Sequence, residues 1–577
     1  MNRLIRVSAI AIALFSCGIA FAQSKPQTDS TAPAIPVAPE IPGRYGMVVA
    51  QERHAANIGV DILNRGGNAV DAAVAVGFAM AVTFPAAGNL GGGGFMVIHL
   101  AKENRNLALD YRETAPAAAT KDMFLDGQGN PDPNKSRDSG LAVGVPGTVA
   151  GLVLAEEKYG SGKFSLSDLI APAIKLARDG FPVENDFPKY MPFFRDRFAR
   201  WPSSAAIFLD ANTQMLKDGD RLVQPDLADT LQAIAEDGPR AFYQGRTAEL
   251  IAAAVGKAGG IVTKDDLANY RAIERPIVRG TYRGYDIISM PPPSSGGVAL
   301  IEMLNMLEGY DLSKLGRGEQ SMHYMIEAMK RAYADRAAYM GDPDSVKMPI
   351  ADLLSKKYAA SLDAGIRDRA TPAADVRPGN PADHEGQNTT QFSVADRDGN
   401  AVSNSYTLNY WYGLGLVADG TGVLLNNELD DFTSKPGTAN TFGLIGYDSN
   451  LPGPNKRPLS SMTPTIVLKD GKPFLITGSP GGSRIITAVL QVIVNAIDFH
   501  MSVAEAVSAP RLHNQWEPDE VLAEPGFDPA VLAALKARGH NIVPSDRHTS
   551  ANSIEVMPNG YVGVADPRTR NGLAAGN

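Results

Sequence analysis

The sequence predicts a layered α/β (α+β) fold in which β-sheets are covered by α-helices, and three observations carry that reading. Helical periodicity dominates 146–358. Strand-like segments dominate after His384. Strands and helices come in blocks rather than in the strict alternation of a doubly wound sheet. The chain has 577 residues, 44% of them hydrophobic and 20% charged, which is enough to bury a large core. It shows no internal repeat and no sustained heptads.

Taken in order, the first residues read as an export signal. Arg3 and Arg6 precede the apolar run VSAIAIALFSCGIAF, which ends in the small-x-small pattern Ala20-Phe21-Ala22. The run is shorter than the roughly 20 residues of a spanning helix, which disfavours a membrane anchor. Phe15 disfavours lipidation at Cys17. Residues 1–22 are therefore assigned as a signal peptide, with the periplasm as destination and no integral membrane span in the mature form. Cys17 is the only cysteine, so a mature chain starting near Gln23 has none. That excludes disulfides, thiolate catalysis and Cys-ligated metals. Loss of Arg3 and Arg6 takes the formal charge from −9 to −11, which argues against a nucleic-acid partner. Residues 23–44, rich in Pro, Ala and Ser, read as an extended leader without a core of its own.

HAANIGVDILNRGGNAVDAAVAVGFAMAV predicts two helices broken at Gly66-Gly67, the second almost wholly apolar and therefore buried. NLGGGGFMVIHL and NRNLALDYRE alternate as strands. SLSDLIAPAIKLARDG carries a capping Ser and a terminal Gly, and SMHYMIEAMKRAYADRAAYMGD has the pattern of a long helix. GVLLNNELDDF, TPTIVLKDGKPFLITGS and SIEVMPNGYVGVADP read as hairpin material. SRIITAVLQVIVNAIDF reads as an apolar helix between layers. NLGGGG and GSPGGSR are glycine-rich but match neither the P-loop nor the dinucleotide fingerprint. There is no His-Glu-x-x-His zinc helix and no Gly-x-Ser-x-Gly elbow, and the eight histidines are scattered singly.

HEGQNTTQFSVADRDGNAV begins at His384 and sets Thr389 and Thr390 at the mouth of a hairpin. Phe392 and Val394 alternate with Gln391 and Ser393, the period of a half-buried strand; 396–400 supply the turn and 401–409 resume the extended pattern. β-propensity alone is a sufficient reason for threonine here. Chemistry supplies another. Without a histidine constellation, an N-terminal threonine is an economical nucleophile, because its own α-amine, with a reference pKa of about 7.7–8, can take the hydroxyl proton. Thr389 has such an amine only if the bond after Asn388 is cut. Attack of the Thr389 hydroxyl on the preceding carbonyl would cut it.

The segments NTTQFSVADRDGNAVSNSYTLN, GVLLNNELDDFTSKPG, GPNKRPLSSMTPTIV and GSPGGSRI together resemble the small subunit of gamma-glutamyltransferases (gamma-glutamyltranspeptidases), which are N-terminal-nucleophile hydrolases. GGNAVDAAVA, GNLGGGGFM, LDYRETAP, GVPGTVAG and PPPSSGG resemble the large subunit, in the expected order. The resemblance implies an αββα sandwich formed jointly by a large subunit over 45–388 and a small subunit over 389–577. It implies a γ-glutamyl donor such as glutathione, an amino-acid or peptide acceptor, and neither a metal nor an organic cofactor.

The same resemblance implies roles. Thr389 would be the nucleophile of both maturation and catalysis, and Thr407 the second threonine that bonds its hydroxyl. Arg112 would anchor the donor's α-carboxylate with Ser460 and Ser461, and Asp431 would receive the α-ammonium with Glu428 and Asn409. Gly481 and Gly482 would form the oxyanion hole. Each has an ordinary alternative: Thr407 a strand residue, Arg112 with Glu113 a solvated pair, Ser460-Ser461 a loop, Glu428 and Asp431 a solvated turn, the glycines a tight turn. TSKPGTANTFGLIGYD resembles the family's lid loop, with Phe442 where many bacterial relatives carry a tyrosine able to bond the pocket Asn. Two other readings stand beside this one: a cephalosporin (glutaryl) acylase of the same superfamily, and an uncleaved periplasmic solute-binding protein.

Overall fold

The structure is a computed structural model and describes residues 35–184, 191–376, 389–440, 442–545 and 549–577. The assigned signal peptide, most of the leader and Asn388 lie outside the described residues. Two seven-stranded antiparallel sheets form the centre. In chain order their strands are β1 (Ile41–Gly43), β2 (Met47–Ala50), β3 (Gly93–Leu100), β4 (Arg105–Tyr111), β5 (Ile273–Arg275), β6 (Val278–Tyr282) and β7 (Tyr285–Ser289). They continue with β8 (Thr390–Ala395), β9 (Ala401–Thr407), β10 (Thr465–Lys469), β11 (Lys472–Thr477), β12 (Ser553–Met557), β13 (Gly560–Val564) and β14 (Leu573–Gly576). One sheet runs β14-β2-β8-β9-β3-β4-β5 and the other β1-β13-β12-β11-β10-β7-β6. Both sheets therefore mix strands from before and after Thr389.

Helices cover the outer faces. On the first sheet lie α1 (Arg53–Asn64), α2 (Ala69–Thr83) and α3 (Thr148–Tyr159), with α4 (Leu166–Asp179) packed on α2. On the second lies α5 (Gly296–Leu307), with α6 (Glu319–Tyr339) and α7 (Arg484–Ile497) packed against it. This is the four-layer αββα arrangement that the motif resemblance implied. Local chemistry sets the helix ends. Asn68 caps α2 by accepting from Val70 and Asp71 N–H, and Ser165 forms a capping box with Asp168 at the start of α4. Gly180 ends α4 in the positive-φ region.

The β8–β9 hairpin turns where predicted, over 396–400, and its register sets Thr390 opposite Tyr406 and Ala395 opposite Ala401. It is not half-buried, however: both faces of both strands are covered. Phe392 and Val394 join the helix-side core, whereas the alternate face looks into the layer between the sheets. There, hydroxyls are satisfied by backbone on the opposing sheet: Ser393 Oγ donates to Asn552 O at 2.9 Å and Ser403 Oγ to Thr477 O at 2.8 Å. Elsewhere in the same layer Phe95, Val97, Met290, Ile466 and Ile476 form an apolar cluster.

Two further expectations need correction. GVLLNNELDDF is hairpin material only at its start: Val423–Leu424 pairs antiparallel with Val417–Ala418, whereas Glu428–Asp431 is a 3₁₀ turn whose acidic residues sit inside the protein. The end of the leader does have a place in the core. Ile41–Gly43 adds the edge strand β1 beside β13, and Ala38 is buried with its N–H donating to Ser508 Oγ at 2.9 Å.

Candidate active site

At one end of the hairpin the chain changes from strand to tight turn. Thr389 directly precedes β8 and is buried; Thr407 ends β9 opposite Gly93. Asn409 then takes a positive φ of 73°, and its N–H donates to Thr407 Oγ1 at 2.8 Å. Its side-chain Nδ2 donates to Asn427 O at 2.8 Å, which leaves Oδ1 without a hydrogen-bond partner among the described residues.

Arg112 arrives from the end of β4 and is wholly buried. Its Nε donates to Pro458 O at 3.1 Å, Nη1 pairs with Glu428 and Nη2 with Asp431. Glu113 stands 3.7 Å from Nη1, and neither of its carboxylate oxygens has a hydrogen-bond partner among the described residues. Burial works against the Arg112 charge, but Glu428, Asp431 and Glu113 outweigh it and hold its pKa above the usual range. The acids respond in the opposite sense. Burial pushes Glu113 up to about 7 against the pull of Arg112, and raises Glu428 and Asp431 as well. Three carboxyl groups around one guanidinium cannot all ionise cheaply, so the cluster keeps a proton where exposed carboxylates have none.

Arg112, Thr389, Thr407, Asn409, Glu428, Asp431, Phe442, Ser460, Ser461 and Gly482 line one small pocket, with Met462 and Ile485. Residues predicted from segments more than 300 positions apart thus converge. Gly481 does not line it but adjoins Gly482, and the two have φ of 135° and 56°, which side chains resist. They form the turn leading into α7. One expectation about contacts changes. Arg112 and the Glu428–Asp431 pair, expected at opposite charges of one glutamyl group, contact each other, because buried opposite charges this close are held as pairs. Nor is Arg112–Glu113 a solvated surface pair: both side chains are inaccessible.

The lid segment folds as a short hairpin, Thr438–Ala439 against Ile445–Gly446; residue 441 lies outside the described set. Phe442 is buried and stacks on Tyr410, with ring centroids 6.4 Å apart. Polar contacts hold its backbone: Gln515 Nε2 donates to Phe442 O at 3.1 Å, and Phe442 N–H donates to Asn440 Oδ1 at 2.9 Å. Asn440 Nδ2 in turn reaches Asp431 Oδ1 at 3.2 Å, which ties the lid to the acid cluster.

Sequence reasoning missed three residues. Gln51, just after β2, accepts from Thr390 and Gln391, the residues that follow Thr389. Ser295 and Arg336 lie behind Ser460 and Ser461. No local signal marks Gln51 or Arg336, since a Gln after a strand and an Arg within a long helix have no distinctive pattern; Ser295 lies in the PPPSSGG segment, which the resemblance picked out without giving this serine a role. Among the described residues one group offers metal-capable atoms close together, His323, Glu327 and His540. Most of its atoms have protein partners: Glu327 binds Arg331 and Thr371, and His323 Nδ1 lies 2.8 Å from His540 Nε2, while His540 Nδ1 has none among the described residues.

Comparison with known proteins agrees with this geometry. Residues 55–576 match the family described as Gamma-glutamyltranspeptidase. A glutathione hydrolase proenzyme of Escherichia coli (strain K12) is 52% identical over 537 residues, 92% of this chain and 92% of that protein. Among solved structures, the Helicobacter pylori gamma-glutamyltranspeptidase superposes with a TM-score of 0.55 at 51% identity, covering 58% of this chain and 95% of that one. The cephalosporin acylase of Bacillus halodurans superposes with a TM-score of 0.81 at 28% identity, covering 96% of this chain and 98% of that one. No helix among the described residues is long and apolar enough to cross a membrane. With a family match spanning nearly the whole chain and a relative at this level of identity, the chain belongs to the gamma-glutamyltranspeptidase family.

Proposed function

We propose that this protein is an exported, self-cleaving gamma-glutamyltransferase that takes the γ-glutamyl group from glutathione or a related compound and passes it to water, an amino acid or a peptide. The observation that carries the proposal is the presence of Thr389 in the same pocket as Arg112, Asp431, Ser460 and Ser461. Maturation begins when the Thr389 hydroxyl attacks the Asn388 carbonyl; breaking the Asn388–Thr389 C–N bond moves the acyl group to the hydroxyl oxygen and frees the Thr389 α-amine, and hydrolysis of the resulting ester releases the Asn388 carboxylate and the Thr389 hydroxyl, leaving a heterodimer of 45–388 and 389–577. Strands from both parts interleave in both sheets, so cleavage need not separate them.

In turnover the α-amine accepts the Thr389 hydroxyl proton as oxygen attacks the γ-carbonyl, and the same proton then leaves with the departing amine. Thr407 steadies the nucleophile. Backbone N–H groups at Gly481 and Gly482 receive the developing oxyanion, a type of contact typically worth about 3–4 kcal/mol. Arg112, Ser460 and Ser461 hold the donor's α-carboxylate, and Asp431, Glu428 and Asn409 its α-ammonium. The acyl ester is then resolved by water or an acceptor amine.

The test is N-terminal sequencing together with an assay. A fragment beginning Thr-Thr-Gln-Phe and release of p-nitroaniline from γ-glutamyl-p-nitroanilide are expected. Thr389→Ala should remain one chain. A single active chain in the wild type would refute the mechanism. The glutaryl acylase reading draws on the superposition with the Bacillus halodurans enzyme. Its discriminator is the donor amine: a glutaryl group has none for Asp431 to bind, so preference for glutaryl-p-nitroanilide would favour it.

A further inference from the structure

Arg336 lies near the C-terminal end of α6 and is buried. Among the described residues it has no carboxylate within ion-pair distance. Instead its Nε donates to Ser295 Oγ at 2.9 Å and its Nη2 reaches Ser461 Oγ at 3.4 Å. Burial pushes its pKa down to about 10, so the group is still charged at neutral pH. A cation held this way, without a salt bridge and against the back of a pocket, calls for a role.

The hydrogen-bond directions supply one. A guanidinium can only donate, so Ser461 Oγ accepts from Arg336 and its own hydrogen is left for something else. No described residue accepts it. Ser460 is arranged in the same sense: Met462 N–H donates to Ser460 Oγ at 3.1 Å, and no described residue accepts the Ser460 hydroxyl hydrogen. Ser295 completes the support. It accepts from Arg336, donates through Oγ to Ser460 O at 2.7 Å, and its backbone N–H donates to the same carbonyl at 2.8 Å. Both pocket serines are thus approached from behind by donors, which orients two O–H groups toward an acceptor-only ligand group. A carboxylate is such a group.

We propose that Arg336 is a positioning residue for the donor's α-carboxylate: by donating to Ser461 it leaves that hydroxyl free to act as a donor, through Ser295 it fixes the Ser460 backbone, and it places a second positive charge beside the pair. The inference rests on the γ-glutamyl donor reading and adds to it a residue that does not touch the substrate. Arg112 alone is poorly suited to the whole task, since Glu428 and Asp431 already draw on its two terminal nitrogens. Arg336 adds positive charge that favours the Asp431 carboxylate, which in turn favours the Arg336 charge.

The experiment compares γ-glutamyl-p-nitroanilide with 4-aminobutyryl-p-nitroanilide, which keeps the amine and lacks the carboxylate. Arg336→Met should lower kcat/KM for the first about 10- to 100-fold, mostly through KM, as expected for loss of a charge-assisted contact. The penalty on the second should be much smaller. Arg336→Lys, which keeps a charge and a donor, should recover part of the loss. In a double-mutant cycle, adding Ser461→Ala to Arg336→Met should cost little more than either change alone. Equal penalties on both donors, or additive effects with Ser461→Ala, would overturn the proposal. If Arg336→Met does not mature, the Arg336→Lys comparison on the same two donors decides. A wild-type enzyme with no preference for the carboxylate-bearing donor would instead sink the donor reading itself, whatever Arg336 does.

Discussion

Gln51 Oε1 accepts the Thr390 hydroxyl at 2.5 Å and the Gln391 backbone N–H at 3.1 Å, so a buried side chain at the end of β2 clamps the two residues that follow Thr389. The clamp comes from the part of the chain before the cleavage point and grips the part after it. Gln51→Leu removes both acceptances and strands a buried N–H, at a cost of about 1–3 kcal/mol. Self-cleavage depends on the Thr389 hydroxyl meeting one carbonyl, and a small misplacement there is expensive. We expect Gln51→Leu to mature at least roughly tenfold more slowly on a denaturing-gel time course, and Thr390→Val, which removes one of the two contacts, to fall between it and wild type. Wild-type cleavage in Gln51→Leu would show that the clamp is incidental.

The contact between Arg112 and Asp431 makes a second prediction, because relieving one charge alters the other. Asp431→Asn should lower kcat/KM on γ-glutamyl-p-nitroanilide by about 2–5 kcal/mol equivalent, the range for removing one partner of a desolvated charge pair. On glutaryl-p-nitroanilide, which has no ammonium, the same variant should be unchanged or better, since Arg112 is then less neutralised. Equal losses on both donors would remove the ammonium role from Asp431.

How much of this was legible in the sequence depends on distance along the chain. The β8–β9 hairpin, the capped helices α2 and α4 and the break at Gly66-Gly67 are local events, and periodicity and turn residues specify them. Alternation along β8 identified one core-facing side correctly, but polar residues on the other side read as solvent-facing. In a two-sheet sandwich that side is an interior layer where Ser393 and Ser403 are satisfied across the gap. The pocket residues were legible only through motif resemblance, since no spacing rule brings Arg112 to Glu428. Gln51 and Arg336 were not legible at all, because their roles arise from hydrogen bonds between sheets and helices that meet only after folding.

Phe442 lines the pocket with Asn409, whose Oδ1 is buried and has no partner among the described residues. A hydroxyl added by Phe442→Tyr has an acceptor available there, and a net hydrogen bond of about 0.5–1.5 kcal/mol changes a closed population several-fold. Gln515 and Asn440 hold the backbone in either case. The variant should therefore shield the acyl-enzyme better from water. At fixed glycylglycine, the ratio of glutamate released to γ-glutamyl-glycylglycine formed should fall. An unchanged or higher ratio would mean that water reaches the ester by a route this position does not govern.

Glu113 links the site to stability through pH. Burial raises its carboxyl to about 7 in the folded protein, against an ordinary value near 4.5. Below the ordinary value the group is protonated in folded and unfolded chains alike and contributes nothing. Between the two values the unfolded chain loses the proton and the folded chain keeps it, so the folded state binds more protons and stability falls as pH rises. The loss is complete above about pH 7 and amounts to roughly 3 kcal/mol at most, from a shift of about two to three pH units. Glu113→Gln cannot titrate and escapes this loss. The melting temperature of the variant relative to wild type should therefore climb between pH 4.5 and pH 7.5, by on the order of a few degrees. A difference that stays flat, or falls, across that range would mean that Glu113 ionises in the folded protein as an ordinary carboxylate, with Arg112 fully offsetting its burial.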